Sequence, residues 1–147
     1  MNTDQSEIHP PEPGERLTVT IEGLATGGDG ITHAEGFTLF VPHTAPGDVA
    51  EVEVVKVART YGRARLLNVL QPGPERVPSS CPLAEGCPGC QLQHLRYDAQ
   101  LAAKRNFVQD SLERIGRIKT LEVRPTIGMP IPWHYRNKGE FAAERRD

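Results

Sequence analysis

Apolar and polar residues alternate as soon as the chain leaves its polar start. Leu17, Val19 and Ile21 fall on one side of the alternation and Thr18, Thr20 and Glu22 on the other. This period of two predicts a half-buried strand. Gly27-Gly28-Asp29-Gly30 follows as turn chemistry, and Gly36 to Val41 reads as a second strand stopped by Pro42. Pro46-Gly47-Asp48 predicts another turn. Val49 to Val57 is a third strand, with Glu51, Glu53 and Val55 on one face and Val52 and Val54 on the other. Gly62 opens a further run, Arg63 to Leu70, which Pro72-Gly73-Pro74 ends. Four or five short strands joined by tight turns predict a small barrel, because closure removes unpaired edges. The glycines around residue 28 are not a phosphate loop. No Gly-Lys-Ser/Thr follows them, and position 33 is His33.

Beyond residue 95 the period changes. Tyr97, Leu101, Val108, Leu112 and Ile115 recur at steps of 4, 7, 4 and 3, the apolar stripe of a helix, with Asp98 as its N-cap and Gly116 at its end. Lys104 and Arg105 lie off the stripe, in solvent. Leu121-Glu122-Val123 predicts a strand broken by Pro125, and Gly128 to Pro132 a turn. A last strand is predicted from Trp133 through Phe141, with nothing after Asp147 to pair with it, so this second part reads as truncated. The fold class is mainly β with some α: a small barrel, a Cys-rich loop, a helix and a truncated α+β segment. The predicted divisions are a disordered polar tail (1–15), the barrel (16–72), the Cys-rich loop (73–95) and an incomplete further domain (96–147).

Composition changes the picture in two places. All three cysteines sit in Cys81-Pro-Leu-Ala-Glu-Gly-Cys87-Pro-Gly-Cys90, a C-x5-C-x2-C run interleaved with Pro and Gly. Such bends let nearby thiols converge, as a metal or an iron–sulfur cluster requires. Four readings stay open: unrelated thiols with one disulfide, a redox dithiol at Cys87 and Cys90, zinc with His94 as fourth ligand, and a cluster that takes three of its four cysteines from here. His94 is alternatively a residue packing this loop onto the helix.

Charge is the second. The net charge is −2, but four acids of the first fifteen residues (Asp4, Glu7, Glu12, Glu15) account for it, and the remainder is weakly basic at +2. The basic residues gather at Lys56, Arg59, Arg63 and Arg65, with Tyr61 among them. That run is either a solvated strand edge or an RNA-facing surface, with cations on phosphates and Tyr61 free to stack. No apolar run reaches the ~20 residues of a membrane span, and the N-terminus lacks the apolar core of a signal peptide. A cytoplasmic location is expected, with reduced thiols that favour metal over disulfide.

From about Arg16 to Phe141 the chain resembles the N-terminal part of the S-adenosylmethionine-dependent RNA (uracil-5-)-methyltransferases, which make 5-methyluridine in ribosomal RNA. Residues 16–72 are similar to that family's TRAM domain, which implies an oligonucleotide-binding-type barrel that grips RNA. Cys81, Cys87 and Cys90, with the run through His94 to Lys104, resemble the start of its 4Fe-4S site. Pro132-Trp-His-Tyr-Arg-Asn-Lys138 resembles the Trp-x-Tyr-Arg-Asn-Lys signature of its central domain. The resemblance implies an RNA partner, ribosomal or transfer RNA with ribosomal favoured, and neither DNA nor membrane is expected. It implies Cys81, Cys87 and Cys90 as metal ligands, while the RNA contacts expected on the barrel, Lys56, Arg59, Tyr61, Arg63 and Arg65, come from the basic run itself. It also places the fourth cluster cysteine, the S-adenosylmethionine loop and the catalytic cysteine after residue 147. No catalytic residue is therefore expected here, and the chain alone should be inactive. The competing readings are a stand-alone RNA-binding adaptor with a Cys3His zinc site, and a structural metal module with no RNA role.

Overall fold

The computed structural model of the chain describes residues 9–84, 87 and 89–139. Six strands, β1 (Arg16–Thr20), β2 (Gly23–Leu24), β3 (Gly30–Ala34), β4 (Phe37–Val41), β5 (Val49–Val57) and β6 (Tyr61–Gln71), form one sheet in the order β1-β5-β6-β4-β3-β2. All neighbours are antiparallel except β4 and β6, which run parallel. The sheet curls until the end of β1 reaches β3. There Thr32 Oγ1 donates to the Thr20 carbonyl at 2.8 Å and the Glu22 amide to Ile31 at 2.8 Å. This is the mainly-β small barrel that the alternation predicts, of the oligonucleotide-binding type that the resemblance implies.

The inner face carries Val19, Ile21, Val41, Ala50, Val52 and Ala64, with Phe37, Leu39 and Val54 as an adjoining cluster. Each large apolar side chain buried this way stabilises the fold by roughly 1.5–3 kcal/mol. Strand β5 has the predicted bounds and faces. Register shifts at its far end, between Val54 and Lys56, leave Val55 exposed. Gly62 sits opposite this irregularity, where a Cβ would meet Leu39 Cδ2 at 2.7 Å, so the close approach of β4 and β6 requires glycine.

Four expectations are corrected. The chain is ordered before residue 16: the Gly14 amide donates to Val54 O at 2.7 Å and the Val54 amide to Glu15 O at 2.8 Å, extending the β1–β5 ladder. Residues 1–8 lie outside the described residues. Helix α1 (Tyr97–Asp110) is capped at Arg96, and Asp98 instead sits in its first turn, where its carboxylate accepts from the Ala99 amide at 2.9 Å. The predicted stripe holds only in part: Tyr97, Leu101 and Leu112 are half-buried, and the rest of it is not. Val108 is 50% and Ile115 83% exposed, and the buried residue is Ala103. Ala103 lines a crevice between the helix, Leu95 and β2, with Ala99, Ala102 and Phe107 facing the same crevice. A single π-helical turn, Ser111–Ile115, ends the helix at Gly116.

The fourth correction concerns residues 121–139, which hold no strand. Residues 121–129 run extended beside α1, and the helix's own side chains take their backbone groups. Arg105 Nε donates to Val123 O at 2.7 Å, Gln109 Oε1 accepts from the Val123 amide at 2.7 Å, and the Met129 amide donates to Tyr97 Oη at 2.8 Å. Arg105 is therefore a clasp, not a solvated residue. Positions 140 and 141 of the last predicted strand lie outside the described residues.

The barrel is joined to the Cys-rich loop through Asp48. Its side chain is fully buried and accepts from the amides of Ala45 at 2.6 Å and Gly73 at 2.8 Å. Arg76 adds Nε at 2.9 Å to Oδ1 and Nη2 at 2.6 Å to Oδ2, and that same Nη2 donates to His43 O at 2.7 Å. Burial alone would raise the Asp48 pKa, but these donors and the Arg76 charge together hold it below its ordinary value. A carboxyl held low adds stability that is complete above about pH 4, the unfolded value, and disappears as pH falls through the folded one. Removing one partner of a buried pair costs about 3–5 kcal/mol, a large share of the ~5–15 kcal/mol that holds a domain together. Arg76→Ala should lower the urea midpoint accordingly, with a destabilisation near ~3 kcal/mol at neutral pH that shrinks below about pH 4. A destabilisation under about 1 kcal/mol would show that the pair is not what joins these parts.

Candidate nucleic-acid interface

The outer face of the barrel is set by the same alternation. Gly62 and Ala64 of β6 point inward, so Tyr61, Arg63 and Arg65 point out. Thr38 pairs with Tyr61 and Phe40 with Arg63 across β4 and β6. This places Phe40 beside Tyr61, edge to face, with ring centroids 5.7 Å apart. Lys56 lies opposite Arg63 in the β5–β6 register, and Arg59 sits in the turn between those strands. All five sequence-predicted residues thus share one edge of the barrel.

Their charges are not equivalent. Arg63 faces Asp29 at 3.3 Å, and Arg65 Nε donates to Glu53 at 2.7 Å. Lys56 and Arg59 have no ion-pair partner among the described residues. Exposed pairs such as Arg63–Asp29 contribute about 0–1 kcal/mol and give way to a stronger anion. The patch can present two uncommitted cations, two that exchange partners, and a two-ring platform. Phe40 was missed from sequence because it looked like one more core residue. Its place in the alternation, out of phase with Phe37, Leu39 and Val41, was the available signal.

The cysteines occupy a loop whose stem is fixed to the barrel. Val77 donates to His94 O at 2.9 Å, Arg76 bridges to Leu95, and Arg96 donates to Glu75 O at 2.9 Å. His94 is buried, and its Nε2–H donates to Thr44 O at 2.9 Å, on the same barrel loop that carries Asp48. Burial pushes its imidazole below the ordinary pKa, helped by the Arg76 and His43 charges and opposed by Thr44 O and Asp48. With Nε2 given to Thr44, that nitrogen is not open to a metal. The turn at Gly28 abuts the far side of the loop: with φ +98°, a Cβ there would lie 3.0 Å from Gln91 Cβ and Leu92 Cδ2.

Cys81 is half-buried, Cys87 and Cys90 are exposed, and all three are free thiols. Among the described residues no three Cys, His, Asp or Glu side chains converge on a common point. No described helix is long and apolar enough to cross a membrane.

Residues 10–67 match the family model of the TRAM domain. The chain is 46% identical over 138 residues to an uncharacterized RNA methyltransferase of Halalkalibacterium halodurans, covering 94% of this chain and 30% of the relative. It is 42% identical over 135 residues to an uncharacterized RNA methyltransferase of Listeria innocua, covering 90% and 30%. Among solved structures it is similar to the Pyrococcus abyssi tRNA (uracil-54, C5)-methyltransferase in complex with S-adenosyl-L-homocysteine. That likeness has 31% identity over 65% of this chain and 21% of that one, with a TM-score of 0.45. The chain spans about three tenths of the length of the curated relatives it matches.

The His94 contact carries a pH signature. A buried imidazole with a lowered pKa contributes stability that is complete above about pH 6.5, the unfolded value, and is lost as pH falls through the folded one. The wild-type melting temperature should therefore drop between neutral and mildly acidic pH more than that of His94→Gln. At neutral pH, His94→Ala should speed proteolytic cleavage within residues 78–93. Parallel melting curves for wild type and His94→Gln would remove His94 as the docking contact.

Proposed function

Given that residues 10–67 match the TRAM domain and that the chain is similar to RNA methyltransferases over nine tenths of its length, we propose that it is the RNA-gripping, cluster-bearing portion of an RNA (uracil-5-)-methyltransferase. The observation that carries the RNA part is the Phe40–Tyr61 pair, flanked by Lys56, Arg59 and Arg63 on one barrel edge. Rings give sequence-tolerant stacking platforms for unpaired bases, and the neighbouring cations neutralise phosphates. The uracil-5 class is supported by the Cys-rich run and the Trp133-to-Lys138 signature in the expected order. Ribosomal RNA is the substrate this resemblance favours, and the cytoplasm the place of work.

In this reading Cys81, Cys87 and Cys90 supply three thiolates to a 4Fe-4S cluster. The fourth thiolate, and the site for S-adenosylmethionine, come from outside these 147 residues. Thiolate spacing supports the cluster, and the docked stem at Val77 and His94 gives the loop a fixed base. The barrel's task is to hold RNA while chemistry proceeds elsewhere.

Binding of a labelled single-stranded RNA, followed by anisotropy at several salt concentrations, tests the RNA part. Affinity should fall steeply with salt, and replacing Lys56 and Arg59 together by Ala should flatten the log–log slope by about 0.7 for each phosphate no longer neutralised. Phe40→Ala with Tyr61→Ala should weaken binding about fivefold or more at every salt, because stacking is worth ~1–3 kcal/mol per base. Slopes and affinities unchanged in both variants would move the interface off this edge. For the metal, anaerobic reconstitution should load iron that Cys87→Ser reduces and His94→Ala leaves alone. One zinc per chain, retained in air and absent from His94→Ala, would replace the cluster by a Cys3His site.

A further inference from the structure

A second surface lies away from the Phe40–Tyr61 edge. The segment at residues 132–136, the Cys-rich loop and the first turns of α1 enclose an open groove. Three aromatic rings, Tyr97, Trp133 and Tyr135, and three cations, Arg96, Lys104 and Arg136, line it. No Asp or Glu among the described residues does. In a chain of net charge −2, this is a local excess of positive charge. Trp133 is 45% exposed and Tyr135 61%, large rings left facing solvent. Arg96 is shared with Glu75 at 3.3 Å and Asp98 at 3.2 Å, whereas Lys104 and Arg136 have no ion-pair partner among the described residues. The Tyr97 hydroxyl, which accepts from the Met129 amide at 2.8 Å, ties one wall to the other.

We infer that this groove is a second RNA-binding surface, which takes an unpaired stretch of RNA with bases stacked on Trp133 and Tyr135 and phosphates against Lys104 and Arg136. Indole and phenol rings at the surface match the faces of bases, and uncommitted cations without acids between them match a phosphate backbone. An apolar protein partner would have to bury Lys104 and Arg136 unmatched, which is costly. The inference rests on the RNA reading of the barrel. It adds a second contact, so that one strand is held at two points, with the Cys-rich loop forming part of the second.

Trp133 is the one tryptophan of the chain, so its emission reports on this groove. The test uses the whole chain and an oligouridine of about twelve nucleotides, within the range of single-strand site sizes. Anisotropy of labelled RNA reads binding anywhere, and Trp133 emission, with unlabelled RNA, reads stacking here. Emission should be quenched saturably, with the same midpoint as anisotropy, and a duplex of equal length should quench far less. Trp133→Ala should weaken binding about fivefold or more, Trp133→Phe should restore most of it, and Lys104→Ala with Arg136→Ala should raise the quenching midpoint. RNA binding with unaltered Trp133 emission, and full affinity in Trp133→Ala, would overturn the inference while leaving the barrel reading intact. No RNA binding by either readout would overturn both.

Discussion

The arrangement depends on a carboxylate that cannot reach water. Asp48 stands in the turn between β4 and β5, and everything its side chain needs comes from elsewhere: the Ala45 amide before it, the Gly73 amide after β6, and the Arg76 guanidinium beyond that. Its backbone meanwhile closes on β1, with the Ile21 amide donating to Asp48 O at 2.9 Å. One residue thereby fixes the end of β1, the β4–β5 turn and the exit from the barrel. A buried charge tolerates no half measures: satisfied it gives a single geometry, and stripped of one partner it destabilises the whole. The tight fit shows in Gly73, where a Cβ would fall 2.2 Å from Pro46 O.

That joint decides where the functional groups sit. Arg76 begins the stem of the Cys-rich loop, and His94 ends it on Thr44, in the same turn as Asp48. The loop therefore springs from the barrel at a set place instead of hanging from a linker, and Leu95, almost fully buried, leads directly into α1. The Phe40–Tyr61 edge is set by the strand register, and the Trp133 groove by α1 and the chain clasped along it. A ligand held at both would be positioned by one connected body.

Much of the barrel was legible because it is written in near neighbours. Strand β5 alternates cleanly, and turn residues stand at its ends. Strand β3 escaped notice because it breaks the rule: Thr32 is buried and Ile31 is only half so. The hydroxyl is tolerated inside since it donates to Thr20 O, a partner twelve residues away. Asp48 read as a turn residue for the same reason, its partners lying 25 and 28 residues on. The helix misled differently. Its one buried residue is Ala103, which carries little hydrophobic signal, while the larger Val108 and Ile115 stay exposed. At the candidate site the basic run was visible, but Phe40, which completes the platform, needed the β4–β6 pairing to be known. Close spacing among Pro and Gly made the cysteines conspicuous in the sequence.

The most direct measurement is an amide chemical-shift map of the chain titrated with single-stranded RNA at moderate salt. If the account is right, the largest changes fall on Phe40, Tyr61 and Gly62 and in the Arg59 turn, while Val19 and Val52 on the inner face stay still. Shifts confined to the helix–barrel crevice near Ala99 and Leu24, or no shifts at RNA concentrations that bind weak single-strand modules, would contradict it.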